Sequence, residues 1–133
     1  MTYFYGQEAE QFAFFRIPKM LISDKRFAGI KCEAKLLYGM MLDRMELSTK
    51  NLWLDKHNRV YIYYTIESIM SDLGCGHEKA GKLLAELERA GLIERVRQGM
   101  GKPDRIYVGK FTDICFSDVL TSDNQRQARL SIS

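Results

Sequence analysis

Residues 65–108 read TIESIMSDLGCGHEKAGKLLAELERAGLIERVRQGMGKPDRIYV. This stretch decides the fold. Thr65 is a good helix N-cap, and Glu67 sits where the positive end of a helix favours an anion. Ile66, Ile69, Met70 and Leu73 fall on one helical face, so a short helix is expected over 66–73. Gly74-Cys75-Gly76 breaks it. A second helix is expected from His77 to Ala90, with Ala80, Leu83, Leu84 and Leu87 as its apolar set and Gly91 as its stop. Two helices joined by a glycine-containing turn make a helix-turn-helix. Leu92 to Gln98 then reads as a strand, Gly99-Met100-Gly101-Lys102-Pro103 as a turn, and Asp104 to Val108 as a returning strand. A β-hairpin placed directly after a helix-turn-helix is a wing.

Upstream, the run Val60-Tyr61-Ile62-Tyr63-Tyr64 reads as a strand too short to stand alone, and the hairpin offers it a partner. A longer helix is expected from Cys32 to Glu46. Its stripe is Ala34, Leu37, Tyr38, Met41, Leu42 and Met45, with Lys35, Arg44 and Glu46 in solvent. A polar stretch, Ser48 to Arg59, contains Trp53. These parts make an α+β winged helix-turn-helix over residues 31–111, a three-helix core with a small antiparallel sheet and a hairpin wing. Residues 1–30 form an aromatic arm bearing Tyr3, Phe4, Tyr5, Phe12, Phe14 and Phe15. Phe12 to Ile17 reads as a short strand or an extended segment, interrupted by Pro18. Two readings of the arm stand: it packs over its own domain, or it crosses to a second subunit of a homodimer. Residues 112–133 hold a short apolar element, Ile114 to Leu120, and then a polar linker or tail.

Composition excludes several classes. The chain has 133 residues, enough for one domain with a real core. No apolar run approaches the 18 or so residues of a membrane span, and no secretory leader is expected. Cys32, Cys75 and Cys115 are odd in number and far apart, which points to a reducing, cytoplasmic setting rather than a disulfide framework. His57 and His77 stand in no metal-binding spacing, so no metal and no cofactor are expected. The string Gly99-Met100-Gly101-Lys102 lacks the strand–loop–helix context of a phosphate-binding loop. Cys75 has only His77 as a neighbouring base. Neither an enzyme nor a small-molecule substrate is expected.

The net charge is only +3, but its distribution matters more than its size. Residues 77–110 hold eight basic side chains against five acidic ones. With Ala80, Leu84 and Leu87 facing the core, helix 77–90 presents Glu78, Lys82, Ala85 and Arg89 outward, flanked by Lys79 and Gly81. Residues in the first turn of such a helix meet base edges in a major groove, and His77 sits there. His77, Lys79 and Lys82 are therefore candidate base-edge or phosphate contacts. Glu78 either accepts from a cytosine amine or serves the helix terminus. In the wing, Arg95, Arg97, Lys102 and Arg105 face only Asp104 in charge. Arg95 and Arg97 share a strand face, and Lys102 sits at the glycine-flanked tip. Gly81, inside the helix, either allows close backbone approach to DNA or is a tolerated defect. A solvated amphipathic face is the plain alternative for the helix, and the basic wing weighs against it.

The chain resembles the N-terminal domain of the RepA-type replication initiators of Gram-positive plasmids and integrative elements. Phe15-Arg16-Ile17-Pro18-Lys19, Ala34-Lys35-Leu36-Leu37-Tyr38-Gly39 and Leu42-Asp43-Arg44-Met45 carry the resemblance, with Thr65-Ile66-Glu67-Ser68-Ile69-Met70 and Lys82-Leu83-Leu84-Ala85-Glu86-Leu87-Glu88. The wing string Arg97-Gln98-Gly99-Met100-Gly101-Lys102-Pro103 adds to it. Two departures are Lys31 and Gly76 at helix caps, where the family has small polar residues, and Gly81, where it has a larger one. The resemblance implies a cytoplasmic homodimer that binds double-stranded DNA at repeated origin sites and initiates plasmid replication. It also implies contact with replication machinery through a C-terminal domain absent from these residues. A winged-helix transcription regulator and a winged-helix protein-interaction module are the alternatives.

Overall fold

The computed structural model describes residues 1–6 and 12–112. The elements run α1 (Lys19–Ser23), a 3-10 turn (Lys25–Phe27), α2 (Cys32–Lys50), α3 (Ile66–Leu73), α4 (His77–Arg89), β1 (Ile93–Val96) and β2 (Arg105–Val108). The fold is the expected α+β winged helix-turn-helix. Thr65 caps α3, its Oγ1 accepting from the Ser68 N–H at 3.1 Å. Gly74 ends α3 with φ 67° and Gly91 follows α4 with φ 80°, a left-handed geometry that suits glycine at a helix end. After α4 the Leu92 N–H donates to Leu87 O at 2.9 Å and the Gly91 N–H to Glu88 O at 3.0 Å, which turns the chain sharply into β1.

α2 is longer than the sequence suggests, ending at Lys50 rather than Glu46. Its polar last turn hides the end. The Trp53 N–H donates to Ser48 O at 2.9 Å and the Leu52 N–H to Thr49 O at 3.1 Å, closing the helix with Leu52 at φ 62°. α2 is also buried beyond one stripe. Gly39, Met40 and Lys35 are buried together with the expected Ala34, Leu37, Tyr38 and Met41. At Gly39 the cause lies in the arm: a Cβ there would sit 2.9 Å from Ile17 Cγ1 and 3.0 Å from Arg16 O, so residues 16 and 17 cross directly over α2. Lys35, expected in solvent, is buried one turn earlier.

β1 and β2 pair antiparallel, with Ile93 opposite Val108, Glu94 opposite Tyr107, Arg95 opposite Ile106 and Val96 opposite Arg105. Val60 to Tyr64 does not form the regular strand that its composition suggests. It joins the hairpin by one two-way bridge, Ile62 N–H to Ile106 O at 2.8 Å and Ile106 N–H to Ile62 O at 2.9 Å. The chain folds back at Asp55–Arg59, and the segment is held on its two edges by single bridges: Asp55 N–H to Arg59 O at 3.0 Å and Tyr61 N–H to Trp53 O at 3.3 Å on one, and Ile62 with Ile106 on the other.

The core gathers Leu37, Tyr38 and Met41 of α2, Ile69 of α3, Leu83, Leu84 and Leu87 of α4, and Ile62, Ile93 and Ile106 of the sheet. The buried Tyr38 hydroxyl donates to Gly109 O at 2.6 Å, and burial pushes its phenol up to about 12. Pro18 stands just before α1, a five-residue helix too short for its Met20-Leu21-Ile22 run to show a helical period. Phe12 to Ile17 forms neither helix nor strand. Ile17 and Met20 pack against the core, whereas Tyr3, Phe4, Tyr5, Phe12, Phe14 and Phe15 are all exposed. Residues 113–133, with the expected apolar element Ile114–Leu120 and the polar tail, lie outside the described residues.

Candidate nucleic-acid interface

α4 packs on α2 and α3 through Ala80, Leu83, Leu84 and Leu87, which turns His77, Glu78, Lys82 and Arg89 outward. Gly76 caps α4 without a side chain, so the first turn is open at its N-terminus. His77 is exposed at the first helical position. Lys82 Nζ lies 3.6 Å from Glu78 Oε2 one turn back, but the two side chains are 70% and 85% exposed, so the pair holds Lys82 only weakly. Lys79 is differently placed. Its Nζ donates to Glu33 Oε2 of α2 at 2.8 Å. That hydrogen bond lowers the Glu33 carboxyl below its ordinary value and raises the Lys79 amine. Glu86 Oε2 also accepts the Lys31 N–H at 2.9 Å, where α2 has no side-chain cap of its own.

Gly81 and Ala85 leave a low spot on the outward face. A Cβ on Gly81 would meet only Ile66 Cδ1, at 3.9 Å, so nothing inside the fold requires glycine there.

The wing divides its four cations between two faces. Arg95 shares a face with its cross-strand partner Ile106 and reaches α4, where Nε and Nη2 donate to Glu88 Oε1 at 3.0 and 2.8 Å. Arg105 points to the other face. Its Nε donates to Gln98 Oε1 at 3.0 Å and its guanidinium lies 4.5 Å above the Tyr61 ring. Arg97 and Lys102 are exposed, and among the described residues neither is tied by an ion pair. The tip turns at Gly99 and Gly101, with φ of 122° and 78°. Lys102 also borders a cleft with Thr65 and Ile66 at the start of α3, Leu84 of α4, and Arg95 and Asp104 of the wing.

Of the seven candidate residues, His77, Lys82, Arg97 and Lys102 thus present exposed ends on α4 and the wing, Lys82 with only its weak pair to Glu78. Lys79 and Arg95 are braced by carboxylates, and Arg105 lies on the far wing face. The bracing partners Glu33 and Glu88 carry no sequence signal, because each pair spans two elements. The alternation Tyr61, Tyr63 and Arg105, Tyr107 did carry one: period two puts each pair on the face opposite the core. Among the described residues no group of three or more His, Cys, Asp or Glu could hold a metal ion, and no helix is long and apolar enough to cross a membrane.

The family model described as "Replication initiator protein A (RepA) N-terminus" matches residues 13–120. A protein of Lactobacillus helveticus, the "41 kDa protein", is 34% identical over 101 residues, covering 71% of this chain and 29% of that protein. The chain therefore spans under a third of this curated relative's length. Among solved structures, "Structure of Rep-DNA complex" is similar with a TM-score of 0.68 and 34% identity, covering 82% of this chain and 84% of that one. "N-Terminal domain of DNA binding protein" is similar with a TM-score of 0.69 and 30% identity, covering 96% and 98%. "Structure of MDR initiator" follows with a TM-score of 0.66 and 26% identity, covering 93% and 100%.

Proposed function

The chain belongs to the replication initiator protein A (RepA) N-terminal family, and from that membership we propose that its α4 and wing edge binds double-stranded DNA at repeated origin sites to initiate plasmid replication. One observation carries the reading: a structure solved as a Rep–DNA complex is similar over 82% of this chain at 34% identity. The physics of the edge supports it. α4 enters the major groove with His77 and Lys82 toward base edges and phosphates, over the low spot at Gly81 and Ala85. Arg97 and the tip residue Lys102 hold the flanking phosphates. Lys79, Arg95 and Arg105 act chiefly as struts, through Glu33, Glu88 and Gln98, that set the angles of α4 and the wing.

The arm supports a homodimer, because six exposed aromatic side chains on one segment make an apolar surface that association would cover. Contact with replication machinery through a C-terminal domain is part of the same proposal. The test is selection of duplexes from a random pool, followed by a search for the enriched site in the host replicon. Enrichment of a site repeated at an origin supports the reading. If deleting the gene leaves plasmid copy number unchanged, the initiator role is wrong, and a transcription regulator takes its place. No enriched duplex at all leaves the protein-interaction module.

A further inference from the structure

The far face of the wing carries an array that the duplex edge does not use. Ile62 and Tyr64 point into the core, so Tyr61 and Tyr63 point out, and Tyr107 of β2 joins them. The ring centroids of Tyr61 and Tyr63 are 5.5 Å apart, and those of Tyr61 and Tyr107 are 6.2 Å apart. The turn after α2 lays Trp53 onto the same face, stacked on Tyr61 at 6.5 Å and edge-on to Tyr63 at 5.5 Å. Trp53 remains 38% exposed at the rim. Two guanidinium groups lie over this array, Arg105 at 4.5 Å from the Tyr61 ring and Arg59 at 4.8 Å from the Tyr107 ring.

The support beneath the array is rigid. The Asp55 side chain is 4% exposed and accepts from the His57 N–H, the Arg59 N–H, Arg59 Nε and the Tyr107 hydroxyl at 2.7 to 2.9 Å. These bonds occupy its lone pairs and pin loop 55–59 to β2. Lys56 and Arg59 are exposed on that loop; Glu94, opposite Tyr107 in register, is the exposed carboxylate nearby.

We propose that this face is a second nucleic-acid site, which takes an unpaired strand by stacking its bases on the exposed Trp53, backed by the tyrosines, while Arg105 and Lys56 neutralise its phosphates and Arg59, paired with Asp55, offers them its remaining guanidinium N–H groups. Flat aromatic rings interleaved with cations suit free bases, because every base has a π-face and stacking is tolerant of sequence. A duplex hides those faces in its own stack and offers this surface only phosphates. A proline-rich peptide would use the rings but has no need of the guanidinium groups. The site contains none of His77, Lys82, Arg97 and Lys102, which are assigned to the duplex edge, so either can fail without the other. A strand opened beside a duplex-bound protein would find this face on the other side of the same wing.

Trp53 is the single tryptophan in the sequence, so it reports directly on its own site. Residues 1–133 are titrated at low salt with fifteen-nucleotide oligo(dT) and oligo(rU), followed by Trp53 fluorescence. The expected result is saturable quenching by both, weakening as salt rises. Quenching by oligo(dT) alone restricts the site to DNA. Labelled-oligonucleotide anisotropy then compares Trp53→Leu and the surface variant Lys56→Glu with wild type. Loss of one stacking partner is expected to weaken strand binding by roughly 5- to 100-fold, with duplex binding unchanged. Three results overturn the proposal: no quenching by either oligonucleotide, unchanged strand affinity in both variants, or complete displacement of the strand by excess specific duplex. Quenching by a proline-rich peptide in place of both oligonucleotides replaces the strand with a protein partner.

Discussion

Glu88→Gln is the most discriminating substitution in the molecule, because two assignments of Arg95 give it opposite signs. Arg95 donates twice to one Glu88 oxygen, at 3.0 and 2.8 Å, with side chains 30% and 39% exposed. A partly exposed pair of this kind is worth about 0.5–1 kcal/mol after solvent screening. If Arg95 is a strut between β1 and α4, losing that energy loosens the wing and weakens duplex binding by about 2- to 5-fold. If Arg95 is instead a phosphate contact that Glu88 restrains, Glu88→Gln frees it, removes a negative charge beside the DNA and tightens binding. Salt separates the two again. A strut leaves the slope of log affinity against log salt unchanged in Arg95→Gln, whereas a lost phosphate contact flattens it by about 0.9. The assay is anisotropy of a labelled duplex carrying the selected site, titrated over a series of salt concentrations. Tighter binding by Glu88→Gln, or a flatter slope in Arg95→Gln, refutes the strut. Amide hydrogen exchange of β1 and β2 in Glu88→Gln provides a reading free of DNA: faster exchange is expected, and unchanged exchange contradicts it.

Three further outcomes follow from single positions. Gly81→Ala meets only Ile66 Cδ1 at ordinary contact distance, so it should stabilise α4 by about 1 kcal/mol and raise Tm by about 4 °C; a simultaneous fall in duplex affinity would identify the glycine as clearance for DNA, and unchanged affinity would make it a tolerated defect. Leu52 has a positive φ and a 75% exposed side chain, so Leu52→Gly should stabilise the fold by up to about 1 kcal/mol in urea unfolding, and destabilisation would contradict the strain reading. Burial opposes ionisation of Asp55, but its bonds from Arg59, Tyr107 and His57 outweigh this and hold the carboxyl well below the ordinary carboxylate range. A depressed folded value gives stability that is full above the unfolded carboxyl value near pH ~4 and is lost as pH falls through the folded one. The Tm gap between wild type and Asp55→Asn should therefore be constant at neutral pH and shrink below about pH 4; a gap that does not change with acid would remove the charge from the account.

The helices and wing were legible because their signals are local. Thr65, Gly74 and Gly91 act within one turn, and the spacing of Ala80, Leu83, Leu84 and Leu87 is the helical period itself. Where a reading missed, the deciding interaction came from far along the chain. The burial of α2 beyond its apolar stripe went unannounced at Gly39, because nothing near it in sequence signals that residues 16 and 17 cross the helix there. Val60 to Tyr64 looked like a strand by composition, but it is held by isolated bridges only, to Leu54 on one edge and to Ile106, far along the chain, on the other. The wing cations looked like one patch when counted along the chain. Strand alternation divides Arg95 from Arg105, and Glu88 draws Arg95 to α4 across a helix–strand junction that no sequence period describes.

The central claim, that α4 and the wing form a duplex-binding edge, is tested most directly by removing its free cations together. Lys82→Ala, Arg97→Ala and Lys102→Ala are combined in one chain, and duplex binding is measured against salt beside wild type. With one phosphate contact at each position, wild type binds with a steep salt dependence, and the triple variant loses about 2.7 from the log–log slope with its helical circular dichroism intact. An unchanged slope in the folded variant, or a wild-type chain without affinity for duplex at low salt, contradicts the claim.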